Sequence, residues 1–226
     1  MIKTLGLIPA RSGSKRLEGK NIKLMNGKPM LAYTIQAALQ SDLSDVVVST
    51  YSEEIADIAR QFGAQVTFIR PHELSDDRTT NKNVLAHALS FLEEKQFMEY
   101  ELLFLLQPTS PIRKSTHIND CIQLLADSNF DTLASVYGPI KKNQKNLKIL
   151  TPEKELLEYR DGELCEYYCY NASIYGSKRD FFIRTMNYHA GRQVGYVMDK
   201  LHSIDVDDEY DFEIASHMMK KYCAQE

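Results

Sequence analysis

Residues 11–20, RSGSKRLEGK, hold four cations, Arg11, Lys15, Arg16 and Lys20, with two serines, two glycines and the single acid Glu18. Gly13 frees the backbone to turn tightly and approach a ligand. Ser12 and Ser14 add hydroxyls, and the cations are charge-assisted donors. The chemistry that suits this set is phosphate binding; a solvated basic surface loop is the alternative. The GxxxxGK[ST] pattern of a P-loop is absent.

Two further stretches could contribute. In FLLQPTSPIR, residues 104–113, Gln107 ends an apolar run, and Pro108 and Pro111 stiffen the chain around Thr109 and Ser110. A rigid turn holding an amide and two hydroxyls suits a hydroxylated, sugar-like ligand, or is simply a proline-stiffened turn. In HSIDVDDEYD, residues 202–211, Asp205 and Asp207 stand at period two, which in a strand points both carboxylates the same way. Such a pair suits Mg²⁺, which takes one or two protein carboxylates and completes its octahedron with phosphate and water. Asp208, Glu209 and Asp211 read as helix N-terminal acids. Arg70, ending another strand, could read a base or a phosphate, or make a surface salt bridge. Asn171 and Tyr175 in YNASIY either line a pocket or belong to the core, and the six histidines are scattered.

These residues need a scaffold, and the hydrophobic pattern predicts one. Strands are expected at Leu5–Pro9, Val46–Thr50, Gln65–Ile69, Leu102–Leu106 and around Thr132–Val136. Helices are expected at Met30–Gln40, Glu53–Phe62 (stopped by Gly63), Asn83–Glu94 and Ile118–Ala126. Unbroken apolar strands alternating with amphipathic helices predict an α/β fold, doubly wound on a mostly parallel sheet, whose ligands sit beyond the carboxyl ends of the strands. From Tyr137 to about Tyr170 the alternation falters, with Lys141, Lys142, Lys145 and Lys148 close together. That stretch reads as an inserted flap or oligomerisation arm within a single domain spanning 1–226. Later strands at Ile174–Gly176 and Gly195–Met198 and a closing helix at Tyr210–Tyr222 complete the pattern.

At 226 residues, 43% hydrophobic and 26% charged, the chain can bury a real core. Its net charge of −4 argues against a broad nucleic-acid footprint. Met1–Ala10 lacks the charged start and cleavage pattern of a signal peptide, and no run reaches transmembrane length. The four cysteines, Cys121, Cys165, Cys169 and Cys223, show no CxxC pairing. A cytoplasmic protein with reduced thiols, without membrane or nucleic-acid partners, is the expectation.

Taken in order, IPARSGSKRLEGKNIKLMNGKPMLAYTI, VVVSTYSEEIADIARQFGAQVTFIRPHEL, LLQPTSPIR, YNASIYG and SIDVDDEYDFEIA resemble the acylneuraminate cytidylyltransferases, the CMP-sialic acid synthetases. The resemblance implies transfer of CMP from CTP to the anomeric hydroxyl of a nine-carbon 2-keto-3-deoxy acid sugar, with Mg²⁺ (or Mn²⁺) present and pyrophosphate released. It also implies a homodimer whose insertion reaches into the partner's site. Carried over position by position, Arg11, Ser14 and Lys20 match the triphosphate loop, with Asn21 beside it. Arg70 matches a residue near the nucleotide, Gln107 the sugar-binding glutamine, and Asp205 and Asp207 the metal-binding aspartates. Arg11, Lys20 and Asp205 would then act in the chemistry, and Tyr175 would join Gln107 at the sugar. The chain departs from the family pattern at GELCEYYCYNASIY, with Cys169 and Tyr170 where Arg-Pro is usual and Ala172 and Ser173 where Gly-Ala is usual. Arg160 is a partial substitute for the missing basic groups, and SDDRTTNKN, with Arg78, Thr79 and Thr80, replaces the usual hydroxylated run. Legionaminic or another bacterial nonulosonic acid therefore fits as an acceptor as well as N-acetylneuraminic acid. A metal-dependent glycosyltransferase using a nucleotide sugar and a non-catalytic nucleotide-sugar-binding protein are the rival readings.

Overall fold

The computed structural model describes residues 2–76, 79–140, 147–159 and 166–222. Its strands are β1 Thr4–Pro9, β2 Leu24–Met25, β3 Lys28–Pro29, β4 Asp45–Ser49, β5 Leu102–Leu106, β6 Thr132–Ile140, β7 Lys148–Leu150, β8 Leu156–Glu158, β9 Tyr167–Lys178 and β10 Gln193–Met198. Its α-helices are α1 Met30–Leu39, α2 Glu53–Gln61, α3 Asn81–Gln96, α4 Ser115–Ala126, α5 Arg179–Thr185 and α6 Glu209–Tyr222. The main sheet runs β10-β6-β9-β5-β1-β4. β1 pairs in parallel with β4 and β5, and β10 with β6, while β9 lies antiparallel between β5 and β6.

Alternation along β5 shows why the sheet carries helices on both faces. All five of its residues are buried. Leu102, Phe104 and Leu106 join the core packed under α1, α2 and α4, while Leu103 and Leu105 join the core under α3. A third, smaller core gathers Leu17, Met25, Ile112, Val206 and Phe212. It fastens the loop after β1 and the segment before α6 to the carboxyl-end side of the sheet.

Two expectations need correction. Residues 65–69 form no strand: Gln65 bridges to Val47, then the chain peels away until the Arg70 amide donates to the Thr50 carbonyl at 2.8 Å. Asp205 and Asp207 lie in a segment that belongs to no strand, yet the alternation survives because Val206 between them is fully buried. Within 137–170 the described residues, 137–140, 147–159 and 166–170, are mostly strand. β6 runs on to Ile140 and β9 begins at Tyr167, the two pairing beyond the helix layers with the β7-β8 hairpin alongside. The expected features at Arg78, Lys141, Lys142, Lys145, Arg160, Cys165 and Cys223 fall outside the described residues. Cys121 and Cys169 are both buried.

Candidate active site

Parallel pairing of β1 with β4 sets the first wall. The Ala10 amide donates to the Ser49 carbonyl at 3.0 Å, so the cationic loop leaves the sheet beside the end of β4. Asn21 holds the loop's far end: its Nδ2 donates to the Arg11 carbonyl at 2.8 Å, and its backbone carbonyl accepts from Leu31 of α1 at 2.9 Å. Lys20 crosses to the segment before α6, donating to the Val206 carbonyl at 2.7 Å with its ammonium 3.7 Å from Asp207. Burial, outweighing the attraction of Asp207 and Asp205, lowers the Lys20 pKa. Arg16 makes a 2.8 Å pair with Asp207 at the exposed rim.

Arg70 forms the second wall. It is 5% exposed, donates through Nη2 to the Ala10 carbonyl at 3.4 Å, and leaves Nε buried without a partner. Desolvation lowers its pKa, with Arg11 adding to the effect. No carboxylate is paired with it among the described residues.

The third wall joins β5 to β9. Arg113, 3% exposed, donates from Nη1 to the Ser173 carbonyl at 2.6 Å and to the Gln107 carbonyl at 3.4 Å. It is so fully removed from water that its pKa falls to about 9. Opposite Arg113 the β6-β9 register shifts, and Ala172 takes φ 58° in a bulge. Ser135 braces that bulge by bonding Asn171 and Ile174, and Asn171 reaches Ser203 at 2.9 Å. The Thr109 carbonyl accepts the Val206 amide at 2.8 Å, while its hydroxyl bonds the Asp205 carboxylate. Burial raises the Asp205 pKa, Thr109 working against the rise and Asp207 adding to it. Oδ1 of Asp205 is buried and has no partner.

These walls enclose a cleft of about 460 Å³, lined by Arg11, Ser14, Lys20, Asn21, Arg70, Gln107, Asp205 and Asp207. Of the nine residues given site roles under the resemblance, eight line this cleft. Tyr175 does not line the cleft. It is buried in an aromatic cluster with Tyr170, Tyr188 and His189, the core placement that its position in a strand also allowed. Asn171 is likewise a brace within the bulge. Asp76, Thr80, Asn81 and Ala172 also line the cleft. Sequence reading noted the polar run that holds Thr80 but missed Arg113, whose contacts with Gln107 and Ser173 join segments distant in sequence.

Among the described residues no cluster of three or more His, Cys, Asp or Glu is placed to hold a metal, and no helix is long and apolar enough to cross a membrane. The two aspartates nevertheless suit a hard cation. Asp205 Oδ1 is an orphaned buried acceptor, and Asp207 faces the same cleft.

A cytidylyltransferase family model matches residues 5–225. The N-acylneuraminate cytidylyltransferase of Escherichia coli O18:K1:H7 (strain RS218 / NMEC) is 35% identical over 231 residues, 97% of this chain and 52% of that protein. The chain thus spans about half the length of that relative. The CMP-N,N'-diacetyllegionaminic acid synthase of Legionella pneumophila subsp. pneumophila (strain Philadelphia 1) is 32% identical over 230 residues, 97% of each chain. A solved CMP:2-keto-3-deoxy-manno-octonic acid synthetase, complexed with CTP, shares the fold with a TM-score of 0.78 at 19% identity, covering 97% of this chain and 99% of its own. With the fold, the cleft and these likenesses in agreement, the chain belongs to the cytidylyltransferase family.

Proposed function

We propose that this chain transfers CMP from CTP to the anomeric hydroxyl of a nine-carbon 2-keto-3-deoxy acid sugar of the N-acylneuraminic or legionaminic kind. The observation that carries this reading is that one cleft is lined by Arg11, Lys20 and Arg70 together with Gln107, Asp205 and Asp207. The named relatives, at 32% and 35% identity, supply the substrate class.

In this reading Arg11, Ser14 and Lys20 bind the triphosphate and Arg70 sits near the nucleotide. The acceptor's anomeric oxygen attacks the α-phosphorus, the bond to the bridging oxygen breaks, and pyrophosphate leaves with the electron pair. Negative charge grows on the leaving oxygens, so cations fixed before the reaction are the largest expected contribution. Gln107 holds a sugar hydroxyl or carboxylate oxygen. Asp205, which lines the same cleft, assists the loss of the acceptor's proton. Mg²⁺ would be held by Asp205 and Asp207, and its chemistry would be neutralisation of the phosphate oxygens. We place the active form as a cytoplasmic homodimer with the β6-β9 extension as the dimerisation arm, a reading supported by the exposed apolar side chains of Leu157 in β8 and Val197 in β10.

Pyrophosphate release tests the reading. The four ribonucleoside triphosphates are crossed, in Mg²⁺, with N-acetylneuraminic, legionaminic, pseudaminic and 3-deoxy-octulosonic acids. Release with CTP and one nine-carbon acid is expected. Silence throughout, or a nucleoside diphosphate as product from a nucleotide sugar, would overturn it.

A further inference from the structure

The loop that would meet the triphosphate is anchored by a side chain outside the cleft. In the parallel pairing, Pro9 lies beside Ser49, so Arg11 and Tyr51, two residues further along each chain, leave the sheet together. The Tyr51 hydroxyl accepts from the Ser12 hydroxyl at 2.8 Å and from the Gly13 amide at 3.1 Å. The Ser14 amide turns back to the Ser12 carbonyl at 3.0 Å, so the tightest part of the loop is held at both backbone and side chain. Tyr51's ring also lies 5.8 Å from the Arg70 guanidinium, which connects the strut to the second cationic wall.

We infer that Tyr51 is a positioning residue for the anion loop, holding Ser12 and Gly13 in the shape that receives the β- and γ-phosphates. The inference rests on the triphosphate reading of this cleft. Residues 11–13 are exposed. Ordering such a loop only when ligand arrives costs conformational entropy, and a cross-link made beforehand removes part of that cost. The phenol oxygen is suited to the task because it takes one hydroxyl and one amide donor at once. Its lowered pKa, caused first by the Ser12 hydrogen bond, agrees with an oxygen acting as acceptor.

The test is direct binding by calorimetry of CTP, CMP and inorganic pyrophosphate to the full chain and to Tyr51→Phe. The phenylalanine ring keeps its place beside Arg70 and removes only the oxygen. The expected result is a roughly tenfold weaker affinity for CTP and for pyrophosphate, the scale of one or two lost hydrogen bonds, with CMP affinity unchanged. Equal weakening for CMP, or none for pyrophosphate, would overturn the assignment. Ser12→Ala, which removes one of the two donors, should weaken pyrophosphate binding by less than Tyr51→Phe and add little to it in the double variant; full additivity would also count against the strut. A wild-type chain that binds pyrophosphate but not CTP would sink the cytidylyl reading while leaving Tyr51 to be judged on the pyrophosphate comparison. A chain that binds neither would overturn both.

Discussion

Asn171 and Ser203 join the bulge of β9 to the segment that carries the aspartates, Nδ2 donating to Oγ at 2.9 Å. Oδ1 of the same asparagine accepts from Ser135 and from the Ser173 amide. One buried amide thus fixes the backbone on both sides of Ala172. Satisfied on donor and acceptor sides, it holds a bend that the sheet's own ladder does not supply.

Held this way, Ala172 adopts φ 58°. The left-handed region costs an L-residue with a Cβ about 1–2 kcal/mol, against which glycine's greater freedom in the unfolded chain must be set. Ala172→Gly is therefore expected to stabilise the protein by roughly 0.5–1 kcal/mol and to raise the thermal midpoint by about 1–4 °C. Calorimetric melting measures this, and a lowered midpoint would show that the bulge is not strained.

Arg11 lines the cleft at the mouth of the anion loop. Its loss as Arg11→Ala should lower turnover by roughly 10²–10³, the scale for removing one fixed donor that stabilises developing charge. Stability should hardly change, because the side chain is exposed. Steady-state rates at saturating CTP decide the matter, and a rate within twofold of wild type would remove Arg11 from the chemistry.

Much of this arrangement was legible in the sequence because it depends on local signals. β1, β5 and α2 follow from apolar runs and spacing, with Gly63 at φ 91° just beyond α2. The basic loop, the proline-stiffened turn and the aspartate pair were visible because charged and rigid residues interrupt that pattern. Their convergence was not, since it depends on contacts such as Thr109 to Val206, nearly a hundred residues apart. The strand expected at 65–69 failed for a related reason. Val66 and Phe68 carry the right alternation, but Arg70 is drawn to Thr50 and its side chain to Ala10, so tertiary contacts override local preference. Tyr175 misled because a tyrosine in a buried strand satisfies a core position as readily as a pocket.

Asp207 has two cationic neighbours, Arg16 at 2.8 Å and Lys20 at 3.7 Å. The Arg16 pair is exposed and is worth at most about 1 kcal/mol. Asp207→Ala should therefore leave the fold intact while raising the Mg²⁺ concentration needed for half-maximal rate. Mn²⁺ binding in the presence of CTP and without acceptor, followed by electron paramagnetic resonance, gives a second readout. If both titrations coincide with wild type, Asp207 has no part in holding the ion.

Arg113 buries a guanidinium with Nε and Nη2 unpartnered, and its remaining nitrogen serves two backbone carbonyls. Removing it both opens space and leaves the Gln107 and Ser173 carbonyls short of a donor. Arg113→Ala should destabilise by about 3 kcal/mol. Arg113→Met fills the volume and removes the cost of burying a charge, so it should recover part of that stability while still raising KM for the acid sugar through a displaced Gln107. A methionine variant with wild-type KM would show that the guanidinium does not position the glutamine.

His117 offers a test through pH. It lies on α4, its ring 4.7 Å from that of His202, and its Nδ1 accepts the Lys114 amide at 3.2 Å. Burial, reinforced by His202, lowers its pKa from 6.5 to about 4. The unfolded chain takes up a proton at this side chain as pH falls below 6.5, whereas the folded chain does so only near 4. Within that window the unfolded state binds more protons, so this contribution is complete above pH 6.5, falls as the pH is lowered, and changes no further below about 4. His117→Asn retains an acceptor for the Lys114 amide without a titrating ring. Denaturant unfolding from pH 7 to 4 should show wild type losing more stability than the variant, with the two curves drawing together toward pH 4 if wild type starts higher. Curves that stay parallel across the window would mean that His117 titrates normally in the folded protein and that its burial does not exclude the charged form.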